Sequence, residues 1–290
     1  MDYDKPICCK TCKSVKMPVF IVLYFLSGIW NNVFADGGPN LFPKGARAEG
    51  MGKSSLINVD VWAVYNNQAA LAYLDKPVVG VNYENRFVMN PAGISAGVFA
   101  LPAMSGTFGF NIAHAAVEDA YSETRIGAGY GKKLAKNIAL GIQFNYHLLS
   151  FSSGYSDFYA FTGEIGLIAQ PLKNIYIGAH VFNPSFSRLN SAYEAPVPVI
   201  FKLGAGYKTE KLLVVSEIEK ERLDDFVPHF GLEYLIFRNM YFRSGVSLNP
   251  VQISFGAGWI SKKLSLDFAF SHHQILGFTP QIGFLYKFTK

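Results

Sequence analysis

Cysteine is nearly absent from this chain of 290 residues. Its three cysteines all lie near the start, at Cys8, Cys9 and Cys12. They precede an apolar run over residues 19–30, which follows a basic stretch and ends close to the small residue Ala35. This layout is typical of a secretory signal peptide, so we expect cleavage to remove residues 1–35. The mature chain would then contain no disulfide, no catalytic thiol and no cysteine-ligated zinc.

Long hydrophobic runs are also missing after residue 35. Half of the residues are hydrophobic, yet no later stretch approaches the roughly 18 consecutive apolar residues of a transmembrane helix. An excess of one charge is missing too, because residues 36–290 contain 22 basic and 19 acidic side chains, a net charge of +3. So mild a balance gives no sign of a nucleic-acid partner.

The sequence does contain regular alternation of apolar residues with small or polar ones. In residues 138–148 every even position is apolar and every odd position is small or polar, which predicts a strand with one apolar face. A tilted strand of about 9 to 11 residues is long enough to cross the hydrocarbon layer of a bilayer. Fourteen runs of this kind can be counted, near residues 77–87, 92–101, 106–116, 123–132, 137–149, 158–169, 174–182, 198–208, 212–220, 228–237, 240–248, 251–260, 264–272 and 280–288.

The connections between these strands alternate in length and charge. A soluble sandwich has no reason to sort its loops in this way, whereas an outer-membrane barrel has short periplasmic turns and longer external loops. The sequence therefore predicts an all-β fold, a 14-stranded antiparallel transmembrane β-barrel over residues 77–290, with both termini in the periplasm of a Gram-negative bacterium. The short basic connections are residues 132–136, 170–173, 208–211, 237–239 and 261–263, and the longer ones are 117–122, 150–157, 183–197, 221–227 and 273–279.

Residues 36–76 do not alternate. They contain a glycine-rich element at residues 45–52 and an apolar stretch that includes Trp62, Tyr65 and Leu71. A disordered periplasmic tail is the alternative for such a segment, but this stretch is too apolar to remain in water. We therefore expect residues 36–76 to fold into the barrel as an N-terminal hatch or plug.

Charged residues of both signs occupy positions that should face inward. Mixed signs in similar numbers favour a lumen cross-linked by ion pairs around the plug, and substrate binding is the alternative. Removing one partner of such a pair would leave a poorly compensated charge. The positions are Glu84, Arg86, Arg125, Glu164, Lys202, Glu217, Glu219, Glu233, Arg243 and Asp267.

Catalytic motifs are missing. Near one predicted outer loop lie His147, Ser153 and Asp157, but their spacing fits no catalytic triad. His272 and His273 are neighbours on a strand, so their side chains point to opposite faces and do not readily chelate one metal ion. We expect neither an enzyme nor a protein with a cofactor or metal.

The glycine-rich element resembles a known family. Residues 45–52 read Gly-Ala-Arg-Ala-Glu-Gly-Met-Gly, and residues 67–71 read Asn-Gln-Ala-Ala-Leu. Together they are similar to motifs of the PorV/PorQ family of Bacteroidetes outer-membrane proteins, related to FadL-like barrels with fourteen strands and a hatch. Gln68 stands where the family usually has Pro, and Ala70 where it usually has Gly. The positions that carry the resemblance are Gly45, Arg47, Gly50, Gly52 and Asn67.

This resemblance implies an activity in protein export. PorV-like and PorQ-like barrels accompany type IX secretion or the surface attachment of its cargo, so the implied partners are outer-membrane lipid, a secretion translocon and secreted proteins around a monomeric barrel. The FadL-like relatives imply the alternative, a channel for hydrophobic small molecules. Fold alone does not choose between the two.

Overall fold

The computed structural model describes residues 45–88, 93–117, 121–151, 157–190, 196–222 and 224–288. The predicted signal peptide, residues 1–35, therefore lies outside the described residues, as do residues 36–44 of the predicted hatch and Ser153. Among the described residues, no helix is both long enough and apolar enough to cross a membrane.

The described residues form four short helices and fourteen strands. The helices are α1 (Ala46–Gly50), α2 (Ala63–Asn66) and two 3₁₀ helices, Gln68–Tyr73 and Arg86–Val88. The strands are β1 (Val78–Asn85), β2 (Gly93–Ala103), β3 (Gly106–Val117), β4 (Tyr121–Ala135), β5 (Ile138–Phe151), β6 (Phe158–Leu172), β7 (Ile175–Phe182), β8 (Ile200–Lys208), β9 (Leu212–Glu221), β10 (Phe226–Phe237), β11 (Met240–Ser247), β12 (Gln252–Ile260), β13 (Leu264–His273) and β14 (Gly277–Lys287).

The strands close into a single barrel. Each strand pairs antiparallel with its neighbours in sequence, and β1 pairs with both β2 and β14. Val81, for example, lies between Gly97 of β2 and Phe284 of β14. Closure leaves no free sheet edge, so the backbone groups of the wall bond to one another. The predicted 14-stranded antiparallel barrel is confirmed.

The alternation in β5 separates the two faces of the wall. Ile142 and Phe144 are 45% and 72% exposed on the outer face, whereas Gln143 and Asn145 are 1% and 3% exposed on the inner face. Because side chains alternate strictly along a strand, this apolar exterior and polar interior follow from the sequence pattern once the sheet is closed.

Connections at one end of the barrel are short. They consist of residues 104–105, 136–137, 173–174, 209–211, 238–239 and 261–263. At the other end, two connections predicted to be long, 117–122 and 273–279, are shorter than expected, because β4 begins at Tyr121 and β14 at Gly277. Tyr121 pairs with Phe151, with ring centroids 5.1 Å apart, and this aromatic contact extends the ladder into the predicted loop.

The described parts of the longest connection, residues 183–190 and 196–199, pack against the inside of the barrel. Asn183 is fully buried, and its amide donates to the Val197 carbonyl oxygen over 3.0 Å. Leu189 and Val197 belong to an apolar cluster with Phe182 and Ile200. This loop therefore covers the inner surface of β5–β8 at the end opposite the short turns.

Candidate functional site

The described N-terminal segment, residues 45–76, lies inside the barrel and is called the plug below. Its side chains are almost completely buried: Met51, Leu56 and Leu71 are each 0% exposed. Inward-facing glycines on ten strands provide the space for it, because a side chain at any of them would meet the plug. These glycines are Gly109, Gly131, Gly141, Gly166, Gly178, Gly206, Gly231, Gly245, Gly256 and Gly283.

Two glycines of the motif at residues 45–52 have backbone angles that other residues rarely adopt. Gly45 has φ +83°, and a Cβ there would lie 2.7 Å from the Trp62 ring. Gly52 has φ +64° and its Cβ would overlap the backbone of Val246. Glycine at these positions lets α1 turn tightly and approach the wall closely. The motif therefore shapes the plug to the barrel.

The Asn67 side chain joins the plug to the wall by hydrogen bonds to backbone carbonyl groups. Its amide nitrogen donates to the carbonyl oxygens of Leu56, at 2.9 Å, and of Leu167 in β6, at 3.1 Å. Its Oδ1 accepts the Ala69 N–H over 3.2 Å and so caps the 3₁₀ helix Gln68–Tyr73. The sequence predicts a short helix or turn at residues 67–72, and this 3₁₀ helix agrees with it.

Gln68 of the plug contacts a charged cluster of the wall. Its side-chain nitrogen donates to Glu164 over 2.7 Å. Glu164 also pairs with Arg125, and the His180 ring nitrogen lies 2.9 Å from it. Arg125 is 0% exposed and lies over the Tyr65 ring of the plug at 5.1 Å. A proline at position 68 could not donate this hydrogen bond to Glu164.

A second charged cluster is centred on Glu233 of β10. Arg47 of the plug donates to both Glu233 oxygens, over 2.8 and 2.6 Å, and to Asp60 over 3.1 Å. Arg243 of β11 also bonds to Glu233 and to Asp267, at 2.7 Å each. Burial alone would lower the pKa of Arg47, but the carboxylates of Glu233 and Asp60 outweigh it and raise the pKa above its ordinary value. Arg47 is thus a permanent cation between the plug and two strands.

The other charged positions also lie at the inner surface. Glu217 accepts the backbone N–H groups of Ser55 and Leu56 in the plug, over 2.9 and 3.0 Å. Two further pairs lie within the barrel. They are Lys202 with Glu219 at 2.9 Å, and Glu84 with Arg86 at 2.8 Å.

The uncharged polar partners of these clusters were not anticipated as site residues. Gln143 donates to the plug carbonyl oxygen of Val64 over 2.7 Å, and Asn145 donates to Glu164 over 2.8 Å. Both occupy inward positions in the alternation of β5, which is the signal that could have identified them. That Gln143 binds the plug depends on a contact across 79 residues of sequence.

The histidines considered for catalysis or metal binding do not form a site in the described residues. His147 is buried, and its Nε2 lies 3.0 Å from the Thr162 hydroxyl. His272 is exposed and His273 half-buried. Among the described residues, no group of three or more His, Cys, Asp or Glu is placed to bind a metal ion.

The wall beside the plug is continuous from β2 to β4. From β2 to β4 the pairing runs without a register shift, from Gly93 opposite Ala116 to Gly106 opposite Lys132. The outer face of β1–β6 carries a shallow apolar groove of about 620 Å³, lined by side chains such as Phe99, Phe110 and Phe144. This groove lies on the outside of a closed sheet.

Comparison of the sequence with protein-family models and with curated proteins gives no match. Solved structures do match in fold. The P. putida toluene transporter TodX has a TM-score of 0.66 at 13% identity, over 87% of this chain and 100% of the other. CymD, a monoaromatic hydrocarbon channel, gives 0.66 at 13% identity over 87% and 99%. A Pseudomonas aeruginosa FadL homologue gives 0.56 at 14% identity over 85% and 98%. The chain therefore has the FadL/TodX-like barrel fold.

Proposed function

We propose that this chain is a bacterial outer-membrane barrel that passes hydrophobic small molecules, with the plug as its gate. The observation that supports this most directly is the closed barrel of fourteen strands with an N-terminal segment inside. The same fold, over nearly the full length of both chains, occurs in a toluene transporter and a monoaromatic hydrocarbon channel. In this proposal the barrel is a monomer, catalyses no reaction, and has lipid and an apolar solute as its partners.

The exterior of the barrel supports a membrane location. Large apolar side chains are exposed all around it, including Phe144 at 72%, Phe161 at 65% and Phe255 at 52%. A soluble monomer rarely exposes so much apolar surface, whereas a barrel wall in lipid requires it. We further propose that the short turns and both chain ends face the periplasm, because short turns lie on that side of bacterial barrels.

Replacing Phe268 with arginine tests the membrane location. Phe268 is 40% exposed in the middle of β13. Near the midplane of the bilayer, an outward arginine should lower the free energy of unfolding by about 2–4 kcal/mol. The measurement is urea unfolding of the barrel in phospholipid vesicles. The control is Phe237→Arg, next to a short turn, where the cost should be only about 0–1 kcal/mol. Equal costs at the two depths would contradict a membrane-spanning wall.

We infer that passage through this barrel requires the plug to move, because the plug contacts ten of the fourteen strands from inside and the wall from β2 to β4 is continuous. The geometry offers a way to lock it. A Cβ at Gly283 of β14 would lie 3.5 Å from the Cβ of Ala46 in the plug. That separation falls within the range of about 3.5–4.5 Å between the Cβ atoms of a disulfide.

The double variant Ala46→Cys/Gly283→Cys should therefore take up solute only when reduced. Uptake of radiolabelled toluene is measured in cells that lack their own channel of this kind, with Cys8, Cys9 and Cys12 replaced by serine. We expect oxidation to reduce uptake at least about tenfold and dithiothreitol to restore it, while each single-cysteine variant stays insensitive. Equal uptake in both redox states would contradict gating by the plug. No toluene uptake by the unmodified chain would contradict the channel itself for this solute.

A role in type IX secretion is the second candidate, and the motif at residues 45–52 favours it through its resemblance to PorV/PorQ proteins. The longest connection of the barrel at the end opposite the short turns is residues 183–199. This connection is short for a cargo receptor. Affinity purification from detergent-solubilised membranes of a type IX-secreting host distinguishes the two roles. Recovery of translocon subunits or secreted cargo would support export, and a barrel that carries only lipid would support the channel.

A further inference from the structure

A mainly basic band of charge surrounds the end of the barrel with the short turns, where Glu210 and Asp75 are the exposed acidic side chains among the described residues. Seven exposed cations project there and are called the basic rim. The six short turns all lie within the described residues, and their only acidic side chain is Glu210. The basic rim consists of Lys132, Lys136, Lys173, Lys211, Arg238, Lys262 and Lys263.

The lysines of the basic rim do not stabilise the described part of the barrel through polar contacts of their side chains. Within the described residues, no hydrogen bond or ion pair joins their side chains to another part of the chain. Buried cations of the lumen, such as Arg47 and Arg243, are in contrast matched by carboxylates. At the opposite end, Arg222 lies beside the acidic residues Asp224 and Asp225, so the charges there are mixed. The excess of positive charge is thus a property of one end of the barrel.

Outward aromatic side chains with polar tips set the level of the basic rim relative to lipid. Tyrosine and tryptophan prefer the boundary between hydrocarbon and headgroups. Trp259 precedes Lys262 by three residues, and Tyr130 precedes Lys132 by two. At about 3.3 Å per residue of a tilted strand, the cations lie several ångströms beyond this boundary, at the depth of lipid phosphates. The outward aromatic residues at this end are Tyr130, Tyr207, Tyr234, Trp259 and Tyr286.

We propose that the basic rim binds anionic phospholipid headgroups, such as phosphatidylglycerol, in the leaflet at the short-turn end. Clustered lysines beside an anionic membrane surface attract its headgroups through Coulomb forces that salt screens. Such binding fixes the depth and tilt of the barrel. This inference rests on the membrane location in the proposed function, although not on transport.

Trp259 provides the test. It is 43% exposed on the outer wall beside the basic rim, whereas Trp62 is 3% exposed inside the plug. The full barrel is reconstituted in vesicles in which brominated phosphatidylglycerol or brominated phosphatidylcholine quenches tryptophan fluorescence. At low salt we expect the anionic lipid to bind next to Trp259 roughly three- to tenfold more tightly, a factor that approaches one in about 1 M salt.

The variant Lys262→Gln/Lys263→Gln should lose most of this preference. The control Lys220→Gln/Arg222→Gln removes the same charge from the opposite end and should keep it. Equal binding of the two lipids by the unmodified barrel, or an unchanged preference in the Lys262/Lys263 variant, would overturn the proposal. Displacement of phosphatidylglycerol from Trp259 by lipopolysaccharide at equal concentration would overturn the choice of lipid. Quenching by neither brominated lipid would instead contradict the membrane location.

Discussion

Replacing Gly141 with valine should prevent the plug from seating and lower the free energy of unfolding by at least about 3 kcal/mol. Gly141 faces inward on β5, and a Cβ there would overlap the backbone of Gln68 and Ala69. Backbone atoms of a capped 3₁₀ helix cannot rotate aside as a flexible side chain can. The measurements are the heat-modifiable shift on gel electrophoresis, which reports barrel closure, and urea unfolding in vesicles.

The matched control is Gly163→Val on the neighbouring strand β6. A Cβ at Gly163 would have the Gln143 carbonyl oxygen as its nearest neighbour, at 3.9 Å, which is ordinary contact. This variant should remain within about 1 kcal/mol of the unmodified barrel. If both valine variants fold equally well, the glycines do not serve to admit the plug. If both fail equally, the cost of valine at these positions lies in the strands themselves.

The Glu233→Gln variant should lose about 3–5 kcal/mol of stability, because it removes the carboxylate shared by two cations. Glu233 is 5% exposed and bonds to Arg47 of the plug and to Arg243 of the wall, which is itself 0% exposed. Asp267 and Asp60 then remain as the only anions that contact these two cations within the described residues. The loss should appear in urea unfolding and as faster proteolysis of the plug.

Two comparisons make this prediction specific. Arg86→Gln alters the pair with Glu84 at a side chain that is 31% exposed, so it should cost less than Glu233→Gln does. Adding both Arg243→Met and Asp267→Asn to Glu233→Gln removes the cation that the first change left poorly compensated together with its remaining carboxylate, and should restore part of the lost stability. Equal costs for Glu233→Gln and Arg86→Gln would contradict a structural role for the Glu233 cluster.

The wall of the barrel was predictable from local pattern. In β5 the residues Gln143 and Phe144 are adjacent in sequence, and their opposite burial follows from the two-residue period of a strand. Since most of the strands repeat this pattern and short connections alternate with longer ones, strand number and most face assignments could be derived without coordinates. An exception is β2, where Ile94 and Val98 face inward at 2% and 3% exposure. Strand ends were less predictable, as at Tyr121, because ladder length depends on contacts with a partner strand.

For the interior of the barrel, the type of interaction was predictable but the partners were not. Mixed charges at inward positions favour ion pairs, but alternation does not say that Glu164 meets both Arg125 and Gln68, or that Glu233 meets Arg47 across 186 residues. Gln68 illustrates the limit well. Its place in the element at residues 67–71 gave no sign of this contact, whereas in the fold its side chain reaches a buried carboxylate of the wall.

The sequence by itself determined that the chain is a barrel, which face of most strands is apolar, and that residues 36–76 differ from the rest, because these properties depend on neighbours in the chain. Tertiary structure alone decided how the plug fits. Inward glycines on ten strands become a matching surface only when closure brings them around α1 and the 3₁₀ helix Gln68–Tyr73. The basic rim likewise exists only after closure, because turns far apart in sequence must meet at one end before their lysines act as one charge.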